Sequence, residues 1–278
     1  MDKPYILIDA SYTSFYRFFA TIRWYSLAFA EEFKQHTTND NYDWINNEIF
    51  MEKYKKMYLN SIIKLVKKKI FLNSNIIFLL DSPRETLWRK QIKCNYKGDR
   101  QDLSIKHNFR SVFDYTYNIM IPEFINTNSS IYKLRVENME ADDLIAIISL
   151  YLEKVDSNKQ VYLVSGDADF LQLGRDNLTF INYKIKQPFV LTKEEAKQAL
   201  KKKILLGDSS DCIPSIFPKG KKINKKEILA SDDKLLNYLK ENPDAEKNYK
   251  SNRELIDFAY IPKVLVTDVE KKFVRLFG

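Results

Sequence analysis

VENMEADDLIAIISLYLEKVDSNKQVYLVSGDADFLQL, Val136 to Leu173, places five carboxylates at two predictable points of secondary structure. Leu144, Ile147, Ile148 and Tyr151 recur at helical spacing, so a helix starts at about Glu140, and Asp142 and Asp143 lie in its opening turn. Capping and the helix dipole explain any one of these acids. Three in four positions exceed what capping requires. VYLVS follows, a β-branched and aromatic run bounded by turn residues, and reads as a buried parallel strand that ends in Gly166-Asp167-Ala168-Asp169. Ligands of open α/β sheets collect beyond the carboxyl ends of the strands, where Asp167 and Asp169 stand.

Two further strands end the same way. YILIDAS runs Tyr5 to Ile8 and then gives Asp9; NIIFLLDS runs Ile76 to Leu80 and then gives Asp81. An aspartate after a strand is a common turn residue. Three strands that end alike, in a parallel sheet, bring Asp9, Asp81, Asp167 and Asp169 together with the helix cluster in one acidic basin. So many like charges need compensation, and a divalent cation supplies it. All-oxygen donors favour Mg²⁺ or Mn²⁺, and Mg²⁺ held by a few carboxylates and waters suits phosphate chemistry.

The rest of the composition points to a polyanionic partner. The chain of 278 residues is 45% hydrophobic and 29% charged, in the range of soluble globular proteins, and carries a net charge of +8. A protein that gathers acids in one basin yet stays basic overall holds dense lysine and arginine elsewhere, and nucleic acid is the obvious polyanion. Two cysteines, Cys94 and Cys212, form no CxxC pair and suggest free thiols in a reducing compartment. With only His36 and His107, zinc or histidine-based nuclease chemistry is excluded as the main reading. The amino terminus enters a strand directly, without a leader pattern, and Leu144 to Leu152 is too short to span a bilayer. A soluble, cytoplasmic (host-cytoplasmic if phage-encoded), monomeric protein with no membrane partner is expected.

Along the chain, Ser11 to Phe33 is dense in aromatic residues; Phe15, Phe18, Phe19 and Ile22 fit one helical face, read first as core packing and second as a base-stacking surface. A second amphipathic helix is expected from about Trp44 to Lys69, with its basic end matched to the helix carboxyl terminus. From Ser82 to Phe109, Arg84, Arg89, Lys90, Lys93, Lys97, Arg100 and Lys106 interleave with Trp88 and Tyr96. Lys93 and Lys97 lie one helical turn apart, and Arg89 and Lys90 extend that face. This charge, beginning beside Asp81, is expected to hang over the basin where a phosphodiester would lie. A strand is expected between Ile119 and Val136, another at Thr179–Tyr183, and a strand and helix in FVLTKEEAKQALKKKILLGD. The stretch GDSSDCIP, Gly207 to Pro214, precedes a lysine-rich turn with Lys219, Lys221 and Lys222, a candidate nonspecific phosphate anchor between two helices. Asn252 to Gly278 reads as a docking segment and a terminal helix.

YILIDAS, FLLDS, YKGDR, MEADD, SGDADFLQL and LLGDSSDCIP appear in the order and rough spacing of the flap endonuclease and 5′-3′ exonuclease family, which the chain resembles over Tyr5 to Pro214. Within it the chain is most similar to the bacteriophage ribonuclease H group, which NYKSNRELIDFAYIP also resembles. The resemblance implies an α/β, PIN-like fold: a mostly parallel central sheet flanked by helices, a helical arch at about residues 82–110, and a helix-three-turn-helix element that grips duplex backbone. It implies a catalytic domain over residues 1–190 and a DNA-binding, helical part over 191–278. Carried over motif by motif, Asp9, Asp81, Glu140 and Asp142 would hold a first metal, with Asp143 supporting it directly or through water. Asp167 and Asp169 would hold a second, aided through water by Asp208 and Asp211. Lys97 and Arg100 match the basic pair that binds the scissile phosphate; Arg89 is a further match, and Arg84, Lys93 and Tyr96 complete the expected contacts to nucleic acid.

The implied activity is metal-dependent 5′-3′ exonuclease and flap endonuclease cleavage of flapped DNA and RNA–DNA primers during replication, leaving 5′-phosphate products. Two Mg²⁺ ions, replaceable by Mn²⁺, can stabilise both attacking and leaving oxygens of an in-line displacement. Partners of that role would be a single-strand-binding protein or a polymerase. One departure stands out: the family continues after GDSSDCIP with a glycine-rich GxGxKT hairpin that binds a monovalent ion and duplex phosphates, whereas this chain has SIFPKGKKINKKEI, leaving lysine charge to do the anchoring. VEKKFVRLFG also lacks the family's glutamine-led sliding-clamp peptide. Three other readings rank below. Toxin-type ribonucleases lack GDSSD with its basic turn, a silent DNA-binding scaffold would not keep every acidic position, and a haloacid-dehalogenase-type phosphatase needs Asp where Ser11 stands.

Overall fold

The apolar, β-branched runs bounded by turn residues become strands, except that the strand expected at the start of FVLTKEEAKQALKKKILLGD is reduced to a single bridge at Phe189. The computed structural model describes residues 3–37, 42–98, 109–185, 187–218, 220 and 223–277. In it β1 (Tyr5–Asp9), β2 (Asn75–Leu79), β3 (Ile131–Leu134), β4 (Val161–Val164) and β5 (Leu178–Ile181) form one sheet of order β3-β2-β1-β4-β5. All four pairings are parallel. Phe189 adds an isolated antiparallel bridge to Phe180 at the β5 edge.

Side chains alternate across the sheet, as the period of a strand requires. Ile6, Ile8, Ile76 and Phe78 enter one core; Leu7, Ile77, Leu79 and Leu163 enter the other. Parallel strands buried on both faces must read as continuous apolar runs, and these do. On the first face lie α1 (Ala10–Ala28), α2 (Ala30–Thr37), α3 (Glu48–Val66), α4 (Lys68–Leu72) and, beyond the short α5 (Trp88–Ile92), α6 (Phe109–Tyr115) and α7 (Ile121–Thr127). The aromatic residues of α1 pack as core: Phe18 and Tyr25 are buried against Phe50 and Trp44, while Phe15 stays at the rim, 38% exposed. The helix expected over Trp44 to Lys69 is instead a 3-10 turn at Trp44–Asn46 followed by α3 and α4, because Asn47 caps α3 and Lys67 breaks the run at φ 76°.

The second face is covered by α8 (Ala141–Val155). Then come α9 (Lys193–Leu206), α10 (Lys225–Ala230), α11 (Asp232–Glu241), α12 (Pro243–Ile256) and α13 (Lys263–Arg275). Leu205, Ile216, Phe217, Ile228, Leu235 and Leu239 make a small separate core among the later helices. The terminal helix α13 leaves it, and its Val269 and Phe273 share a core with Leu7 and Ile77 of the sheet.

Because β1 lies between β2 and β4 and the strand order reverses about it, a crevice opens beyond the carboxyl ends of β1 and β4, the place where open α/β sheets bind ligands.

Candidate metal and nucleic-acid site

The crevice is lined by carboxylates whose positions follow from where elements stop. Asp9 closes β1 and caps α1: its Oδ1 accepts the Tyr12 N–H at 2.9 Å and its Oδ2 the Ser165 hydroxyl at 3.0 Å. Asp81, two residues beyond β2, accepts the Ala141 N–H at 2.6 Å and so ties the sheet to the start of α8. Glu140 caps α8 in a reciprocal box with Asp143. Asp167 follows β4 and accepts the Asp169 N–H at 2.9 Å. Gly166 lets the Tyr12 side chain lie against this turn, since a Cβ would stand 2.0 Å from the Tyr12 hydroxyl and the ring would have to move.

These acids perturb one another in the way a shared basin demands. Burial, reinforced by Asp81, pushes Asp9 up to about 7. Burial likewise raises Asp142 well above the usual carboxylate range, with Asp9 and Asp167 adding to the effect, and burial raises Asp81. Glu140 goes the other way: burial opposes ionisation, but Lys97 and Arg89 outweigh it and hold Glu140 at about 2. A second group forms across the crevice, where ligand oxygens of Asp169, Asp208 and Asp211 all lie within 4.8 Å of one another. Among the described residues this is the group of three acids with metal-like spacing. Hard oxygen donors that close, with neighbours whose ionisation is suppressed by like charge, fit a divalent cation.

Two lysines supply charge inside the crevice. Lys97 contacts Glu140 and lies 3.9 Å from Asp211. Lys203, on α9, contacts Asp169 and lies 3.0 Å from Asp208. Lys203 was not among the residues expected at the site. One turn of helix before Gly207-Asp208, inside KKK, its charge is indistinguishable in sequence from a solvated face.

The basic stretch after Asp81 differs from the expected helix face. Helix α5 ends at Ile92, and Lys93 is an extended cap donating to the Cys212 carbonyl, so Lys93 and Lys97 do not share a helix. Arg89 and Tyr96 point inward. Arg89 is 3% exposed; it pairs with Glu140 at 3.0 Å and Asp143 at 2.7 Å and donates from Nε to the Leu255 carbonyl at 2.8 Å. The Tyr96 hydroxyl donates to Glu140 at 3.0 Å. Buried acids attract these donors more strongly than water does, and that turns the segment in. Asp143 is fully buried, held by Arg89 and by Trp88 Nε1 at 2.9 Å and joined to Glu140 in the capping box, so its carboxylate faces these partners rather than the crevice. Arg84 sits exposed in a 3-10 turn. Arg100, Lys219, Lys221 and Lys222 lie outside the described residues, as does the remainder of the expected arch from residue 99 to 108. Gly220 has φ 82° with open space around it.

The arrangement defines a resolvase-like α/β domain with an acidic crevice at its topological switch. Residues 4–203 match the family described as 5′-3′ exonuclease, N-terminal resolvase-like domain, and the chain belongs to that family. A 5′-3′ exonuclease of Buchnera aphidicola is 30% identical over 163 residues, covering 55% of this chain and 52% of the relative. DNA polymerase I of Streptococcus pneumoniae is 28% identical over 208 residues, 70% of this chain and 22% of the polymerase. The chain thus spans about half the length of the first relative and about a fifth of the second. Ribonuclease H of Enterobacteria phage T4 is 23% identical over 242 residues, 80% of this chain and 77% of the relative. Among solved structures, T5 D15 protein co-crystallised with metal ions superposes with a TM-score of 0.65 at 15% identity, covering 99% of each chain. A T5 D15 flap endonuclease variant in complex with DNA and metal ions superposes with a TM-score of 0.64 at 17% identity, covering 98% of each. Among the described residues no helix is long and apolar enough to cross a membrane.

Proposed function

We propose that this chain is a structure-selective, metal-dependent 5′-3′ exonuclease and flap endonuclease that hydrolyses phosphodiesters in branched DNA and RNA–DNA primers. The observation that carries this reading is the convergence of Asp9, Asp81, Glu140, Asp142 and Asp167 with the Asp169, Asp208 and Asp211 group at the switch point of a parallel sheet. Asp9, Asp81, Glu140 and Asp142 would hold one divalent cation, and Asp169, Asp208 and Asp211 with Asp167 a second. Mg²⁺ is the ion this donor set suits, and Mn²⁺ a substitute. Bound there, two such ions supply charge stabilisation for the attacking and leaving oxygens of an in-line displacement.

The chain's own residues do the rest. Lys97 stands at Glu140, where its ammonium is positioned to meet a phosphate that enters the crevice, and Arg100 follows three residues later. Lys203 offers a second ammonium at the far side. The lysine-rich stretch at residues 219–222 supplies sequence-independent attraction to the backbone. Residues 1–190 form the catalytic part and 191–278 the DNA-gripping part, with α13 returning to brace the sheet. A single-strand-binding protein or a polymerase is the kind of partner such a nuclease meets, and the cytoplasm, the host's if the chain is phage-encoded, is the matching compartment.

Cleavage of a 5′-labelled flap duplex and of an RNA–DNA hybrid, in Mg²⁺ and in EDTA, tests the reading. Metal-dependent cutting near the junction that vanishes in Asp169→Ala is expected. Tight binding without cutting under every divalent metal tried leaves a DNA-binding scaffold and defeats the enzyme reading.

A further inference from the structure

Asp81 is held by a chain of hydroxyls. One of its oxygens accepts the Ala141 N–H at 2.6 Å, and the other accepts the Ser11 hydroxyl. The Tyr117 hydroxyl lies 2.7 Å from Ser11 Oγ. A serine has one hydroxyl proton, and a carboxylate can only accept. With the Ser11 proton on Asp81, the proton between the two hydroxyls is therefore the one Tyr117 donates, and the relay runs Tyr117 to Ser11 to Asp81.

Tyr117 reaches the crevice through an irregularity of its helix. Between α6 and α7 the chain makes a π-helical turn at Thr116–Met120, in which the Ile121 N–H bonds to the Thr116 carbonyl five residues back. Pro122 gives the reason. A proline has no N–H to donate, and its ring clashes with the carbonyl four residues earlier, so a widened turn ahead of it relieves both problems. Turns of this kind recur at functional sites. This one is pinned from behind, where Thr116 Oγ1 lies 2.9 Å from the buried Tyr54 hydroxyl and donates to the Val112 carbonyl at 2.7 Å. An ordinary phenol is protonated at neutral pH, so Tyr117 is a donor.

We propose that Tyr117 is a positioning residue: through Ser11 it fixes the rotamer of Asp81, leaving that carboxylate's free lone pairs aimed at a divalent cation in the crevice. The inference rests on the metal-dependent reading above. Outer partners that orient a ligating carboxylate change metal affinity by about 10- to 100-fold when removed.

The test measures free Mn²⁺ by electron paramagnetic resonance in titrations of the full chain, alongside kcat and KM for flap cleavage over a range of Mg²⁺ concentrations. Tyr117→Phe keeps the ring and loses only the hydroxyl. It is expected to fold as the wild type does by circular dichroism, to bind Mn²⁺ about 10-fold or more weakly, to keep KM for the flap, and to regain kcat at high Mg²⁺. Because the two hydroxyls act in series, Tyr117→Phe with Ser11→Ala should be no worse than Ser11→Ala alone. A folded Tyr117→Phe with wild-type Mn²⁺ affinity and an unshifted Mg²⁺ dependence overturns the relay while leaving the nuclease reading intact. Should Tyr117→Phe fail to fold, Ser11→Ala decides: weakened Mn²⁺ binding supports the relay, and unchanged binding overturns it. A wild-type chain that neither binds Mn²⁺ nor cuts overturns both.

Discussion

Arg89 shows how a residue can be legible as important and illegible in its contacts. In sequence it is one cation in a run of seven, and its place beside Asp81 suggests a phosphate. In the fold its planar guanidinium faces Glu140, Asp143 and the Leu255 carbonyl with all three kinds of nitrogen engaged, and it stacks over Trp88 at 4.5 Å. Nothing in the residue type separates these outcomes, because both use the same bidentate donor. The buried arrangement has a measurable consequence. Removing one partner of a buried ion network strands the others, so Arg89→Met should lose roughly 3–5 kcal/mol in urea unfolding without metal, and Arg89→Lys, which keeps charge but not the fork, should lose less. A change within about 0.5 kcal/mol for Arg89→Met, the usual range of a surface substitution, would show that the guanidinium is solvated instead. Aspartates differ from arginine in this respect. Asp9, Asp81 and Asp167 are each a common turn residue when taken alone, but three parallel strands that end alike bring such short acids to one edge of the sheet, where the strand end decides where each stands.

At the scale of elements, what can be read is where a regular pattern starts. The apolar period of α8 and the acids ahead of it mark its start, and the capping box of Glu140 and Asp143 is there. The run VYLVS marks β4. Where patterns stop is harder. Helix α5 ends after five residues although RKQIKCNYK carries no proline or glycine until Gly98, because Tyr96 and Lys97 gain more by turning into the acids, Lys97 even taking φ 56°. The π-helical turn before Pro122 is invisible in the same way: proline signals a break, and nothing in the local sequence says that the chain widens by one residue and continues as helix instead of stopping. Gly207 is the opposite case, a stop the sequence marks. It ends α9 at φ 70°, and a Cβ there would lie 2.5 Å from the carbonyl oxygens of Ile213 and Pro214. Gly207→Ala is expected to cost roughly 1–3 kcal/mol in strain and to reduce metal-dependent cleavage further, because the loop it displaces carries Asp208 and Asp211. Thermal unfolding and flap cleavage by the same preparation check this; wild-type values for both would show that the loop accommodates the methyl group.

The whole molecule sets a basic exterior, at a net charge of +8, against an acidic crevice, and that contrast governs its response to pH. Asp9, raised by burial and by Asp81 to about 7 from 3.8, binds its proton more tightly folded than unfolded. Its contribution to stability is therefore complete below about 4 and is lost as pH rises through about 7. Asp142 and Asp81 shift in the same direction. Glu140, held at about 2 against 4.5, works in a separate window: its contribution is present above 4.5 and is lost as pH falls towards 2. In EDTA, Tm should consequently fall between about pH 5 and pH 7.5. Added Mg²⁺ should reduce or reverse that fall, because a cation binds the ionised carboxylates and competes with their protons. Asp9→Asn should flatten the EDTA curve. A wild-type curve in EDTA already flat over that range would mean that the crevice acids are not buried together.

The sequence by itself determined the five strands of the sheet, though not that the run at Phe189 would make only a bridge, together with the acids that close the strands, the α8 start and the family pattern from Tyr5 to Pro214, since each depends on residues near in the chain. Only the tertiary structure decided the strand order β3-β2-β1-β4-β5 that opens the crevice between β1 and β4, the inward turn of Arg89, Tyr96 and Lys97, the arrival of Lys203 at Asp169, and the hydroxyl relay from Tyr117 to Asp81. Those contacts join residues dozens of positions apart. They exist because burial makes an unpaired charge or hydroxyl expensive, a condition that no local stretch can satisfy alone.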